Sequence, residues 1–296
     1  RDKLVTGVQT CALPILTTSS ELEKIIGGSG TTTFVFEDGA EFAGVLDGGS
    51  GTAVLDYSAC TSAVSVDLAA GTATGTEGIV RITNVIGGAG DDVLVGNSGV
   101  NSLSGGGGAD AFTGGGGADT LIGGGGDDVY VMKPGAGTVT IVELADGGED
   151  TLDYTAYAGG VAVNLATGAA TATTGAANIE KVLSGKANDV LTGTDGNDVF
   201  SFADDWGVDA VVDATAGDVD TLDFSAVTDD LTFTFHAGVS KSVSVDDGAG
   251  NAVHDATSVT VLKSGTGDDL YVFQNGWGAF TIADAGDADF DTLDFS

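Results

Sequence analysis

The stretch Gly105–Tyr130, GGGGADAFTGGGGADTLIGGGGDDVY, repeats four glycines three times and sets Asp110, Asp119 and Asp128 nine residues apart. Two positions after each carboxylate comes Phe112, Leu121 or Tyr130. A flexible linker has no need of such spacing, and a nine-residue structural unit does. From Gly87 the chain divides in this phase into GGAGDDVLV, GNSGVNSLS, GGGGADAFT, GGGGADTLI and GGGGDDVYV, ending at Val131. The sixth position reads Asp92, Asn101, Asp110, Asp119 and Asp128, and the eighth Leu94, Leu103, Phe112, Leu121 and Tyr130. Looser copies span 184–201, with Asp189 and Asp198 at the sixth position, and 264–272, with Asp269. A further copy over 27–35 carries Thr32 there and is expected to be an ion-free rung.

A longer repeat encloses the short one. VLDYS, TLDYT, TLDFS and TLDFS anchor it at Leu55, Leu152, Leu222 and Leu293, at intervals of 97, 70 and 71 residues. The first interval exceeds the second by 27, three whole units of nine, so each unit is expected to be one rung of a coil. The organisation predicted is an artefactual segment and linker over 1–26 and a partial module over 27–54. Modules follow over 55–151, 152–221 and 222–292, with a truncated start over 293–296. The leading segments alternate apolar and polar residues, as in Val64, Val66, Leu68 and Leu231, Phe233, Phe235, which is the period of a strand with one buried face. No segment has a helical period, so the fold class expected is all-β.

Six residues of each unit can turn sharply because glycine accepts positive φ, and three can form a short strand whose middle side chain points inward. Two units then complete a coil of eighteen residues, and turns on one side stack at about 4.8 Å. That stacking brings Asp92 beside Asp110, Asn101 beside Asp119, and Asp110 beside Asp128. Carboxylates about 5 Å apart repel by roughly 1 kcal/mol even in water-like dielectric. A cation between the turns would remove that repulsion and add binding energy present only in the folded state. Calcium suits carboxylate and carbonyl oxygens, whereas zinc or copper would want His and Cys, of which the chain has two each.

These units resemble the GGxGxDxUx nonapeptide of RTX, or haemolysin-type, calcium-binding proteins. The resemblance implies a right-handed parallel β-roll with Ca²⁺ between turns, in proteins exported by a type I secretion apparatus and folded on meeting extracellular calcium. It assigns Asp92, Asn101, Asp110, Asp119 and Asp128 as metal positions, with Asn101 weaker for want of charge. Asp189, Asp198 and Asp269 join them only where the neighbouring modules continue the coil. The chain ends within a module, where the family carries a C-terminal secretion signal, and is expected to be a fragment.

Composition narrows the function classes. A formal net charge of −35, with 36 of the 44 acidic residues Asp, repels nucleic acid and anionic membranes and attracts cations. No apolar run approaches the roughly 18 residues of a membrane span, so membrane insertion is not expected. Val5–Ile15, VTGVQTCALPI, looks like a translated sequencing adapter, with a secretory signal as the other reading. Excluding it leaves Cys60 as the one reliable cysteine, read as a core position. There is no H-E-x-x-H and no G-x-S-x-G, so the chain itself is expected to be non-catalytic. The expectation is a secreted or cell-surface stalk, adhesive or secretion-folding segment, with an unidentified surface or carbohydrate ligand. The alternative is the repeat region of a secreted protease or lipase whose catalytic domain lies outside this sequence.

Overall fold

The computed structural model describes residues 3–4, 13–14, 23–145, 147–212, 219–236, 242–274, 276, 278–285 and 290–295. Residues 5–12 and 15 of the adapter-like stretch lie outside the described residues. Every regular element among the described residues is a β-strand. The chain divides into two compact units, residues 1–150 with 172–174, and residues 151–171 with 175–296.

In the first unit the nonapeptides alternate between two walls of parallel strands. One wall runs through Ala53–Asp56, Asn84–Ile86, Ser102–Gly107, Thr120–Gly125 and Thr140–Val142. The other runs through Ser65–Asp67, Val93–Val95, Ala111–Thr113 and Val129–Val131. Val93 pairs with Ala111, Ala111 with Val129, and Ser102 with Thr120, which is the eighteen-residue coil of two units. The middle residue of each strand points inward: Leu94, Leu103, Phe112, Leu121 and Tyr130 are all buried, while flanking Val93 is 47% exposed.

Glycine is required where one coil lies against the next. Gly124 has φ +119°, and a Cβ on it would collide with the Gly106 carbonyl below. A side chain there meets both backbone strain and a fixed neighbour.

Away from the tract the coil lengthens. Ser65 pairs with Val93 rather than with a residue eighteen away, because Ser65–Asp67 first folds back on Thr72–Ala73 in an antiparallel hairpin. Tyr57 closes this excursion by donating its hydroxyl to the Thr74 carbonyl at 2.8 Å. Cys60 is buried, its Sγ 3.7 Å from the Phe36 carbonyl.

The second unit is built on the same plan with a different filling. One wall holds Thr151–Asp153, Lys181–Leu183, Val199–Ala203, Asp220–Ala226, Val259–Lys263 and Thr281–Ala283, all parallel. The other starts parallel, with Ala162–Asn164, Val190–Thr192, Val208–Val212 and Ala252–Thr257. It then departs from the all-parallel expectation. Ala252–Thr257, Ser242–Asp246 and Thr232–Phe235 form an antiparallel meander before parallel pairing resumes with Leu270–Phe273. Ser242–Asp246 and Ala252–Thr257 supply the extra strands, and their buried Val243, Val245, Val253 and Ala256 fill the interior. Aromatic rings continue that filling: Phe202 stacks on Phe224 at 4.7 Å, Phe233 on Tyr271 at 5.0 Å and Phe235 on Phe273 at 4.4 Å. Trp206 is fully buried against Phe202 and Phe224.

Candidate metal centre

Each sixth-position residue sits at the end of a turn, just before the strand that enters the wall, and its side chain folds back under the turn instead of facing solvent. Asp92, Asp110, Asp119, Asp128, Asp189, Asp198 and Asp269 are each no more than 1% exposed, and Asn101 is 3% exposed. The local reason is a side-chain ladder between coils. Asp110 Oδ1 accepts the Asp92 N–H at 2.7 Å, and Asp128 Oδ1 accepts the Asp110 N–H at 2.8 Å. On the opposite side Asp119 Oδ1 accepts the Asn101 N–H at 2.8 Å. A longer side chain would overshoot this backbone donor.

A second ladder runs the other way on the exposed fifth positions. Asp91 accepts the Ala109 N–H and Asp127 the Glu149 N–H, each from the following coil. Asp230, outside the nonapeptides, is exposed and accepts the Asp268 N–H in the same way.

The second carboxylate oxygen separates the units into two groups. Asp92 Oδ2 accepts the N–H of Gly88 at 2.8 Å, as Asp189 Oδ2 accepts that of Gly185 and Asp198 Oδ2 that of Thr194. In the three GGGG turns the second glycine instead takes φ of +115° at Gly106, +92° at Gly115 and +119° at Gly124. There Oδ2 of Asp110, Asp119 and Asp128 is buried with no hydrogen-bond donor, as is that of Asp269 in a turn without the four glycines. An ionised oxygen in that position carries its full desolvation cost unless something positive meets it.

The electrostatics agree. Burial pushes the Asp110 carboxyl up to about 7, against the Asp92 N–H and with the help of the Asp128 and Asp92 charges. Asp128 is pushed up to about 6, again chiefly by burial. Asp119 is raised as well, by burial, with the Asn101 N–H opposing.

Main-chain oxygens face the same spaces. A Cβ on Gly87 would collide with both Asp92 Oδ2 and the Gly105 carbonyl of the next coil, and one on Gly96 would meet Asn101 Oδ1 and the Gly114 carbonyl. Carboxylate, amide and carbonyl oxygens from successive coils thus converge where only glycine leaves room. This is a donor set for a hard cation with flexible geometry, as calcium is, and these rows contain no Cys or His for zinc.

The structure also places Asp189, Asp198 and Asp269, whose own units are too few for an eighteen-residue partner. The neighbouring segments do continue the coil: the Asp189 N–H donates to Asp209 Oδ1, the Asp198 N–H to Asp220 Oδ1 and the Asp269 N–H to Asp291 Oδ1. In the first unit the Asp128 N–H likewise donates to Asp150 Oδ1. Asp150, Asp209, Asp220 and Asp291 therefore extend the rows and were not identified from sequence. Three of them were signalled by the Asp two residues before the Leu152, Leu222 and Leu293 anchors. Asp209 had only the alternation of VDAVV and a single glycine, Gly207, two residues before it. Burial pushes Asp209 up to about 8.

Thr32, in the rung expected to be ion-free, accepts the Gly28 N–H through its hydroxyl at 3.3 Å, imitating the Asp92 contact without a charge. His236 is part-buried, with Nε2 2.8 Å from Ser244 Oγ and 3.4 Å from Asp255 Oδ1. Both partners address the same ring nitrogen, so this trio lacks the geometry by which a carboxylate orients a histidine for a serine nucleophile.

A family model described as the RTX calcium-binding nonapeptide repeat matches the chain in 4 copies, over residues 86–121, 104–135 and 174–205. No curated protein matches the chain.

Proposed function

We propose that this chain, an RTX repeat protein whose nonapeptides bind calcium, is a segment whose folding is coupled to the ion through its buried aspartate rows. The observation that carries the reading is the donorless Oδ2 of Asp110, Asp119 and Asp128. Asp92, Asn101, Asp110, Asp119 and Asp128 hold the ions of the first unit together with glycine carbonyls of adjacent turns. Asp189, Asp198 and Asp269 do so in the second, each with the partner that continues its row. Asn101 brings no charge, so its position binds more weakly than that of Asp110.

The physical consequence is a switch between compartments. At submicromolar free calcium the stacked carboxylates oppose coil closure, and at the 10⁻⁴ to 10⁻³ M typical of extracellular modules the ion closes it. This supports a secreted or cell-surface location and export in the unfolded state, with the folded coil serving as a stalk, an adhesive surface or a secretion-folding region. Circular dichroism during a calcium titration, followed by chelator, tests the reading. A calcium-induced rise in strand signal that EGTA reverses is expected, and identical spectra in both would end the proposal.

A further inference from the structure

The last nonapeptide of a run is followed by a turn that is not a nonapeptide, and that turn adds a third carboxylate. Val142 pairs with Ile122, so Glu143 stands beside Gly123, the first residue of the Asp128 unit. Carboxylate oxygens of Asp128, Glu143 and Asp150 all lie within 4.8 Å of one another. Asp128 is fully buried, its Oδ1 is taken by the Asp110 N–H, and its Oδ2 has no donor. That Oδ2 is aimed into the cluster, because a Cβ on Gly123 would collide at once with Asp128 Oδ2, Glu143 Oε1 and the Tyr130 hydroxyl. Tyr130 itself donates to Glu143 Oε1.

The arrangement recurs. Lys263 pairs with Ala283, placing Asp284 beside Ser264, and Asp269, Asp284 and Asp291 also gather within 4.8 Å. Tyr271 takes the place of Tyr130, two residues after the sixth-position Asp. Both clusters follow one spacing, the second carboxylate 15 residues and the third 22 residues after the first. The same spacing relates Asp198, Asp213 and Asp220, of which Asp213 lies outside the described residues.

We infer that the nonapeptide runs ending at Val131 and Val272 each close in a three-carboxylate site for a hard divalent cation such as Ca²⁺, formed by Asp128, Glu143 and Asp150 in the first unit and Asp269, Asp284 and Asp291 in the second. It rests on the reading of the aspartate rows as calcium positions, and differs from them in drawing one ligand, Glu143 or Asp284, from outside the rows. Three formal negative charges around one space, against two or one in a regular turn, make it the position of highest affinity.

Calcium calorimetry on the whole chain and on Glu143→Gln, with circular dichroism alongside, tests it. The variant is expected to lose the tightest-binding ion, or to bind it about tenfold more weakly, while its calcium-induced folding persists. Terbium luminescence excited through tyrosine should fall in Glu143→Gln and be restored in Glu143→Asp, since Tyr130 adjoins the site. Should Glu143→Gln fail to fold in calcium, Asp284→Asn gives the same readout in the second unit. Unchanged ion number and affinity in the folded variants overturns the terminal sites and leaves the rows standing. Glu143-dependent ion uptake with no folding change upholds the terminal sites and removes ion-coupled folding.

Discussion

The tract Gly87–Val131 and the segment Val199–Phe273 use one architecture with opposite interiors. In the first, each rung buries one large side chain, from Leu94 to Tyr130, and sets a buried aspartate, or Asn101, beside it. In the second, Phe202, Trp206, Phe224, Phe233, Phe235, Tyr271 and Phe273 fill the interior in ring contacts. Each buried ring contributes roughly 1.5 to 3 kcal/mol of transfer free energy and stacked pairs add more. Glycine-rich rungs have a single stacked pair, Phe112 on Tyr130, and also lose the most backbone entropy on folding. Where the apolar core is thin, the coil is held through charge, and charge in that position needs a counter-ion.

Removing calcium should separate the two most strongly. Hydrogen exchange in EGTA is expected to show the amides of 87–131 losing nearly all protection, and those of 199–212 and 259–273 keeping most of theirs. Uniform loss would mean the aromatic interior confers no independence. Phe224→Ala should have the next largest effect, costing about 3 to 5 kcal/mol in denaturant melts, and saturating calcium should leave that cost in place. In the glycine-rich tract, Asp110→Ala removes the acceptor of the Asp92 N–H and leaves the Asp110 amide as donor to Asp128, so it touches two stacked pairs. It should cost about 1.5 to 3 kcal/mol and raise the calcium midpoint more than Asp119→Ala, which faces uncharged Asn101. Equal midpoints would contradict the pairing of rows.

The smallest effect expected is a partial rescue by acid. Asp110 and Asp128 have folded-state values raised to about 7 and about 6, above the unfolded carboxylate value near 3.9. The folded coil therefore binds more protons between those limits, and its metal-free stability falls as pH rises through about 6 to 7. In EGTA the tract should be more compact at pH 5 than at pH 8. With calcium present the order reverses, because protonation competes with the ion.

The sequence made the periodic part legible because glycine, aspartate and one apolar residue recur at fixed offsets, and each has a separate physical reason to be there. Asp150, Asp209, Asp220 and Asp291 escaped that reading because the row needs only an aspartate before a strand. Glycines remain in those turns, as Gly148 and Gly207 do at positive φ, but without the full nonapeptide spacing that flags the row elsewhere. The meander of Thr232–Phe235, Ser242–Asp246 and Ala252–Thr257 was legible as alternation, but period two does not distinguish parallel from antiparallel pairing. The orphaned oxygens were not visible at all. They depend on which amide the backbone turns toward Oδ2, as the contrast of Gly88 with Gly106 shows.

Two units per coil also govern how such a gene can change length. Duplicating one nonapeptide between Gly87 and Val131 would transfer every later strand of the tract to the opposite wall and place each aspartate over the wrong neighbour. Duplicating a pair restores phase and adds one storey. Growth in steps of eighteen codons thus keeps phase, whereas an odd step, such as the three units by which the first interval exceeds the second, is a frameshift in space although the reading frame survives it.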